Sequence, residues 1–219
     1  MRFGAGRAGL TAGALVSLVA LAGCGTQASP DPEDTATAGR ASATASPPAA
    51  SASGRLSGGE LQGRWWSWAA SEPAEVNPVA DRDGRECGRN QPQDVWFLAG
   101  TFGGQVTRAC AVPGGRPIAF PVVNSYGEPS DCAAFMSGAR GTVLLDGEAV
   151  EPEAYPGDVM TVRSAQGNAV TGEGGGFTAT GCGLWVQLPA LAPGKHALKI
   201  RGRSGDFSTG VDYALTVTA

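Results

Sequence analysis

The chain has little basic character. It contains 16 Lys plus Arg residues against 20 Asp plus Glu, which gives a net charge of −4 over 219 residues. A protein that binds nucleic acid needs a basic stripe or patch. The one basic cluster has the spacing of a single solvated strand face: Lys195, Lys199, Arg201 and Arg203. We therefore expect no nucleic-acid partner.

The sequence also lacks the residue patterns of common catalytic and metal sites. It has no Gly-x-Ser-x-Gly elbow, no Ser-x-x-Lys and no Cys-x-x-Cys. The only histidine, His196, stands at the start of a predicted strand and is expected to be structural, because a catalytic histidine needs a nucleophile and an orienting carboxylate nearby. A zinc site is disfavoured with one histidine and no paired cysteines, so we expect no metal and no cofactor.

A long hydrophobic run is absent as well. The run from Leu10 to Ala22 is about 13 residues long, whereas a membrane-spanning helix needs about 20. It follows Arg2 and Arg7 and ends at Cys24. A positive start followed by an apolar run and small residues is typical of a secretory signal. Such a signal is either a lipoprotein signal peptide, which we favour, or an ordinary signal peptide, which is the alternative.

The last four residues of this signal resemble the lipobox of bacterial lipoproteins: Leu21-Ala22-Gly23-Cys24. The resemblance implies a thioether-linked diacylglycerol on Cys24 and cleavage just before it, so that residues 1–23 are a lipoprotein signal peptide. Two or more acyl chains hold a protein firmly on a bilayer. We expect a lipid-anchored protein on the extracellular face of the cell membrane.

Residues 24–57 have the composition of a disordered linker. Ala, Ser, Thr, Pro and Gly fill this segment, and Leu56 is its one bulky apolar residue. Such a segment buries too little surface to offset its ordering entropy, and about 33 flexible residues reach roughly 30 Å. Residues 58–219 remain as one domain, long enough for a substantial core.

Four cysteines remain once Cys24 is assigned to the lipid. An even number in an exported chain indicates two disulfide bonds, although four cysteines allow three pairings. We favour Cys87–Cys110 and Cys132–Cys182 because the first pair brackets one strand and its turn.

Two helices are predicted. The first is rich in tryptophan, and apolar residues at helical spacing share one of its faces: Leu61, Trp65, Trp68 and Ala69. The second is short, with Ser130 or Asp131 as its N-cap and an end at Gly138.

About nine short strands, separated by Gly and Pro, account for most of the rest. Residues 95–99 and 118–123 are apolar on both faces and should be covered on both, one cover being the Trp65/Trp68 face of the first helix. Later strands alternate, as where Leu184, Val186 and Leu188 oppose Trp185 and Gln187. The pattern predicts an all-β, antiparallel β-sandwich, immunoglobulin-like or jelly-roll, with the two helices attached.

Five blocks, in this order, resemble a group of uncharacterised secreted proteins and lipoproteins found especially in actinobacteria: Trp65-Trp66-Ser67-Trp68-Ala69, Asn77-Pro78-Val79-Ala80-Asp81, Asp94-Val95-Trp96-Phe97-Leu98-Ala99-Gly100-Thr101, Cys110-Ala111-Val112-Pro113 and Phe120-Pro121-Val122. The resemblance covers about residues 60–125 well and the rest loosely. It implies no activity and no catalytic residue. It supports the Cys87–Cys110 pairing, since both cysteines lie inside the matching region.

Trp66 and Trp185 are the candidate ligand-binding residues. Trp66 lies off the apolar stripe of its helix and Trp185 points away from the apolar set of its strand, so both are expected at the surface. An exposed tryptophan ring stacks on sugars and other flat apolar faces. Burial of all the tryptophans in the core is the alternative.

Acidic residues suggest two further chemistries. Residues 81–86 begin like a calcium loop but lack its later ligands, so a salt-bridged turn is the favoured interpretation. A glycoside hydrolase needs two carboxyl groups across one cleft, and six acids crowd one region: Glu72, Glu75, Asp81, Asp83, Glu86 and Asp94. A solvated acidic surface is the alternative.

These observations favour a lipid-anchored cell-surface protein that presents a non-catalytic binding module for a wall glycan or a surface protein. An enzymatic role stays open, in the form of a carboxylate-based glycan hydrolase. A purely structural envelope protein is the third possibility.

Overall fold

The computed structural model describes residues 55–219. The predicted signal peptide, Cys24 and nearly all of the predicted linker lie outside the described residues. Within residues 55–219, no helix has both the length and the apolar character that a membrane span requires.

Two α-helices and nine β-strands make up this region. The helices are α1 (Gly58–Ala69) and α2 (Pro129–Gly138), and a short 3-10 helix covers Ala74–Val76. The strands are β1 (Trp96–Phe97), β2 (Gly104–Val112), β3 (Ile118–Gly127), β4 (Arg140–Leu145), β5 (Glu148–Val150), β6 (Glu153–Ser164), β7 (Gly175–Leu188), β8 (Gly194–Ser204) and β9 (Phe207–Val217). The predicted β-rich class and the two helices are confirmed.

The strands form two mixed sheets. One has the order β1-β3-β7-β6 and the other the order β2-β9-β8-β4-β5. The prediction of purely antiparallel pairing is wrong at two places, because β1 is parallel to β3 and β2 is parallel to β9 over its whole length. Parallel pairing requires a connection that returns the chain to the same end of the sheet. Hydrophobic alternation along a strand does not reveal such a connection.

The main core lies between the two sheets. Alternate residues of the long strands point into it, including Phe120 of β3, Val186 of β7, Ile200 of β8 and Leu215 of β9. All four are almost completely buried. The period-two pattern of the later strands thus places one face of the five-stranded sheet inside and the other in solvent.

A second core lies on the outer side of the four-stranded sheet, under α1. Leu61, Trp65 and Trp68 pack there against Phe97 of β1 and Ala119 of β3. The prediction that the Trp65/Trp68 face covers the fully apolar strands is confirmed. A Cβ atom at Gly63 would lie 2.8 Å from the Thr161 carbonyl oxygen of β6, so glycine permits the close contact of helix and sheet.

Helix α2 begins two or three residues earlier than predicted. Its N-cap is Glu128 rather than Ser130 or Asp131, and Pro129 occupies the first helical position. The Asp131 carboxylate accepts a hydrogen bond from the Glu128 backbone N–H at 3.0 Å, which makes a capping box with an acidic residue in the usual place of Ser or Thr. The helix ends at Gly138, as predicted.

Two disulfide bonds fix elements that are distant in sequence. Cys87 pairs with Cys110 and Cys132 with Cys182, at Cα–Cα distances of 5.9 and 5.7 Å. The first joins the loop before β1 to β2, and the second joins α2 to β7. The favoured pairing is confirmed.

Candidate binding cleft

Trp185 is not available to a ligand. Its side chain is 0% exposed and its ring packs edge-on against Trp65, with 5.6 Å between ring centroids. The prediction that it reaches the surface is wrong because α1 covers the face of β7 that alternation assigns to solvent. Trp185 belongs to the second core.

Trp66 is half-buried and lies at the edge of this core. Its ring meets the Tyr126 ring of β3 at a centroid distance of 4.8 Å and an angle of 74°. Tyr126 in turn contacts Phe177 of β7 at 5.6 Å. Edge-to-face and tilted aromatic contacts of this kind hold the rings in fixed orientations.

Trp66 and Tyr126 line a cleft of about 390 Å³. Four further aromatic side chains complete its walls: Trp65 from α1, Phe102 from the loop between β1 and β2, Phe135 from α2 and Phe207 from the start of β9. None of the residues that line this aromatic cleft carries a charge. It therefore offers a concave, apolar and neutral surface.

The rim of the aromatic cleft is hydrophobic and open to solvent. Phe102 is 52% exposed and Phe207 is 36% exposed. Gly103 and Gly104, with φ angles of 124° and 80°, turn the chain just after Phe102 and present its ring at the loop tip. Large apolar side chains grouped at the surface of a folded protein commonly mark an interaction site.

Two hydrogen-bond donors of the cleft residues have no acceptor among the described residues. They are the Nδ2 amide of Asn124 and the Nε1 indole nitrogen of Trp66, both hidden from solvent. Burial raises the pKa of the neighbouring Tyr126 hydroxyl, which keeps it protonated. Buried polar groups normally have partners, so these two donors are exceptions, as are the core indole nitrogens of Trp96 and Trp185.

The buried Arg108 holds the loops on one side of the aromatic cleft. It is 1% exposed, and its guanidinium donates hydrogen bonds of 2.9 to 3.0 Å to the carbonyl oxygens of Val79, Ala99 and Gly100. It also donates to the Asp81 carbonyl oxygen and to the Tyr213 hydroxyl. Because Val79 and Gly100 line the cleft, Arg108 fixes part of its wall.

Four of the six acids proposed as a catalytic set lie in ion pairs, namely Glu72, Asp83, Glu86 and Asp94, and none of the six lines this cleft. Asp94 bonds Arg64 at 3.0 Å and Glu86 bonds Arg89 at 2.7 Å. Hydrogen bonds from the arginines Arg64 and Arg85 lower the pKa values of Asp94 and Asp83, respectively. A glycosidase general acid needs a raised pKa, so these carboxyl groups do not have the properties of one.

The carboxylates of the calcium-like segment serve as turn acceptors. Asp81 accepts backbone N–H groups of Asp83 and Glu86 at 3.1 and 3.0 Å. Asp83 pairs with Arg85. Among residues 55–219, no group of three or more His, Cys, Asp and Glu is placed to hold a metal ion.

The hydrogen-bond partners of the His196 ring among the described residues are two acceptors, and neither is a Ser, Thr or Cys side chain. Its Nδ1 lies 2.7 Å from a carboxylate oxygen of Asp146 and its Nε2 lies 2.9 Å from the Ala192 carbonyl oxygen. A neutral imidazole has one N–H, so this geometry favours the doubly protonated ring. The hydrogen bond to Asp146 raises the His196 pKa above 6.5, and the bond from His196 lowers that of Asp146 below 3.8.

This pair has a defined pH window of stabilisation. A raised histidine pKa contributes stability that is complete below 6.5 and is lost as the pH rises through the folded-state value. A lowered aspartate pKa contributes stability that is complete above 3.8 and is lost as the pH falls through its folded-state value. The pair therefore stabilises the fold most fully between pH 3.8 and 6.5.

Asp146→Asn is expected to move the His196 pKa down toward 6.5, because it removes the charged acceptor. Since His196 is the only histidine, proton NMR titration of the folded chain reports it without ambiguity. Glu148→Gln, which neutralises an exposed acid on β5, is the matched control and should leave the titration in place. An unchanged His196 pKa in Asp146→Asn would contradict the assignment.

The sequence alone identified one wall of the aromatic cleft, Trp66. It missed Phe102, Asn124, Tyr126, Phe135 and Phe207, which come from separate segments. The sequence does contain a signal for Phe102, because it is an aromatic residue in the glycine-containing loop Thr101-Phe102-Gly103-Gly104. Loop residues of this kind are expected at the surface rather than in the core. The others carry no signal that distinguishes them from core residues.

No family model and no curated protein matches the sequence. Among solved structures, one chain of the "Structure of PbICP-C in complex with falcipain-2" is similar at 10% identity, covering 59% of this chain and 95% of that chain, with a TM-score of 0.26. At that TM-score the similarity supports no conclusion about fold or function.

Proposed function

We propose that this chain is a lipid-anchored extracellular protein whose folded region is a non-catalytic binding module. The observation that carries the proposal is the neutral aromatic cleft with its exposed Phe102 and Phe207 rim. The ligand we propose is an uncharged wall glycan, because sugar rings present flat apolar faces to aromatic side chains. An aromatic side chain of a surface protein is the second candidate for the same cleft.

The size and the polar groups of the cleft support a small, oriented ligand unit. Its volume of about 390 Å³ falls within the range of about 300 to 1,000 Å³ that is usual for ligand sites. Thr101, Asn124 and Ser125 add polar side chains to its lining, which can pair with sugar hydroxyl and acetamido groups. A mostly apolar wall with a few polar groups is the common composition of such sites.

The ion-paired acids favour binding over glycan hydrolysis. The cleft has no Asp or Glu in its lining, and Asp83 and Asp94 have lowered pKa values. Retaining and inverting glycosidases both need two carboxyl groups beside the scissile bond. The carboxylate-based hydrolase is therefore the weaker alternative.

The finer fold class that we propose is immunoglobulin-like rather than jelly-roll. The order β1-β3-β7-β6 corresponds to A-B-E-D of an immunoglobulin sandwich, and β9-β8-β4-β5 corresponds to G-F-C-C′. The parallel β1–β3 contact and the disulfide from α2 to β7 depart from that pattern. Loops at one end of such a sandwich commonly bind ligands, and Phe102 lies in such a loop.

Membrane attachment through Cys24 completes the proposal. The two disulfide bonds agree with an oxidising compartment. The segment between Cys24 and the first described residue, Arg55, has the low-complexity composition of a tether. A tether of this kind would present the aromatic cleft away from the bilayer.

Trp66→Ala is expected to weaken binding of purified wall polysaccharide at least about tenfold, since a central aromatic anchor contributes about 2 kcal/mol or more. Phe102→Ala should weaken it too, and its exposed ring can be removed without disturbing the core. Isothermal titration calorimetry with a panel of wall polymers measures both.

Val159→Ala is the matched control for this test. Val159 is 76% exposed on β6 and does not line the cleft, so its removal should leave the affinity unchanged. Full affinity in both the Trp66 and Phe102 variants, or no binding by any polymer in the panel, would refute the glycan proposal.

A further inference from the structure

The outer face of the five-stranded sheet carries a strip of basic side chains along β8. Leu198 and Ile200 are buried in the core, so the alternate residues Lys199, Arg201 and Arg203 point outward. Lys195 has the same parity. From Lys195 to Arg203 the strip is about 26 Å long, at about 3.3 Å per residue.

The strip ends in two arginines that face each other across strands. Arg140 of β4 is directly opposite Arg203 of β8, and side chains in such positions have Cβ atoms about 4.5 to 5.5 Å apart. Like charges placed directly opposite destabilise a sheet. Among the described residues, neither guanidinium forms an ion pair with a carboxylate, whereas Arg201 beside them bonds Asp212 at 2.8 Å.

These arginines surround a depression of about 350 Å³. Gln105, Thr142 and Ser208 add neutral hydrogen-bonding groups to its walls. Gly210 forms part of the outer face here, where a Cβ atom would lie 2.8 Å from Gln105 Cγ and 3.2 Å from Arg201 Cδ. The absence of a side chain at Gly210 lets Gln105 and Arg201 pack closely over this position.

We propose that this basic strip binds a linear polymer that carries repeated phosphate groups. Both arginines line one depression, and the tetrahedral oxygens of a phosphate can accept hydrogen bonds from two guanidinium groups. Outward residues of β8 lie about 7 Å apart from one to the next, so Lys199 contacts a later repeat, while Arg201 stays paired with Asp212. In a chain of net charge −4, a local strip of this sign selects an anionic partner by charge complementarity.

The depression and the aromatic cleft share one lining residue, Thr209, but the arginine side chains of the strip line only the first and the aromatic side chains only the second. This proposal therefore goes beyond the glycan function and does not depend on it. Phe207 and Ser208 are adjacent on β9 but point to opposite faces, the first into the cleft and the second into the depression. Trp66→Ala should therefore leave phosphate-polymer binding intact. Failure of one proposal is thus distinguishable from failure of the other.

The test uses the purified full chain, with Cys24→Ser so that only the four paired cysteines remain, and long-chain polyphosphate as the probe. Arg140→Gln with Arg203→Gln should reduce the affinity about 100-fold at low salt, about tenfold for each charge-assisted contact. The slope of log affinity against log salt should become shallower by about one for each arginine removed. Isothermal titration calorimetry across a salt series measures both.

A double variant at exposed arginines elsewhere, Arg82→Gln with Arg163→Gln, changes the net charge equally and should retain full affinity. Thermal unfolding gives a second readout that a misfolded variant would not imitate. At low salt Arg140→Gln should raise the melting temperature, because it removes the opposed charge. Polyphosphate should raise the melting temperature of the parent chain but not of the Arg140/Arg203 double variant.

Three results would overturn the proposal. Equal affinity for orthophosphate and polyphosphate would exclude a linear polymer. Binding that is confined to phosphatidylglycerol vesicles or to poly-L-glutamate would assign the strip to a lipid surface or an acidic peptide instead. Equal loss of affinity in the Arg82/Arg163 control would show that net charge, and not this strip, is responsible.

Discussion

Arg108→Met is expected to lower the free energy of unfolding by about 4 kcal/mol. The change keeps most of the side-chain volume but leaves the buried carbonyl groups of Val79 and Gly100 without this donor, while the Ala99 carbonyl keeps only the Tyr213 hydroxyl. A buried polar group without a partner costs about 1 to 3 kcal/mol. In a region of this size, the loss corresponds to a fall of about 10 °C in melting temperature.

Urea unfolding followed by tryptophan fluorescence measures this loss, with a lower midpoint and an unchanged slope as the expected form. Arg108→Lys should recover part of the stability, since an ammonium group has three donors against the five of a guanidinium. Arg163→Met, at an exposed strand position, is the matched control and should change stability by less than about 0.5 kcal/mol. An Arg108→Met chain as stable as this control would contradict the structural role of the guanidinium.

Cys24→Ala is expected to move the chain from the membrane fraction to the soluble fraction. The proposed anchor is attached through the Cys24 sulfur, and no helix in residues 55–219 is able to span a bilayer. Loss of two or more acyl chains removes essentially all of the membrane affinity. Ultracentrifugation of cell extracts with immunoblotting measures the distribution, and mass spectrometry of the N-terminal peptide detects the diacylglycerol on the parent chain.

Thr26→Ala is the control for this variant, because it lies two residues beyond Cys24 and carries no proposed modification. It should sediment with membranes as the parent chain does. A Cys24→Ala chain that still sediments fully with membranes would remove the basis for the lipid anchor and for the extracellular location.

The predictions that succeeded depended on periodicity and on spacing. Leu61, Trp65 and Trp68 fixed the buried face of α1, and the fully apolar segments near Val95 and Ile118 required a cover on both sides. The cysteine pairing followed from one strand and its turn. These are local patterns, and local backbone geometry determines which residues share a face.

The predictions that failed depended on contacts between distant segments. Alternation along β7 assigns Trp185 to solvent, and only the position of α1 reverses that assignment. Strand direction in the β2–β9 pair follows from chain connections rather than from residue types. Arg108 has the inward parity of Cys110 and Val112, but its acceptors are backbone oxygens that no sequence pattern specifies.

The disulfide bonds have a consequence for the export that we propose for this chain. They close loops of 23 and 50 residues, and in the chain-entropy model each contributes about 3 to 4 kcal/mol of stability. A domain commonly has about 5 to 15 kcal/mol in total. If the chain is exported as we propose, its thiol form in a reducing cytosol lacks this contribution, which would suit a translocase that threads extended polypeptide. Oxidation on the far side of the membrane would then make the folded state persistent, so that redox chemistry rather than synthesis would set the timing of maturation.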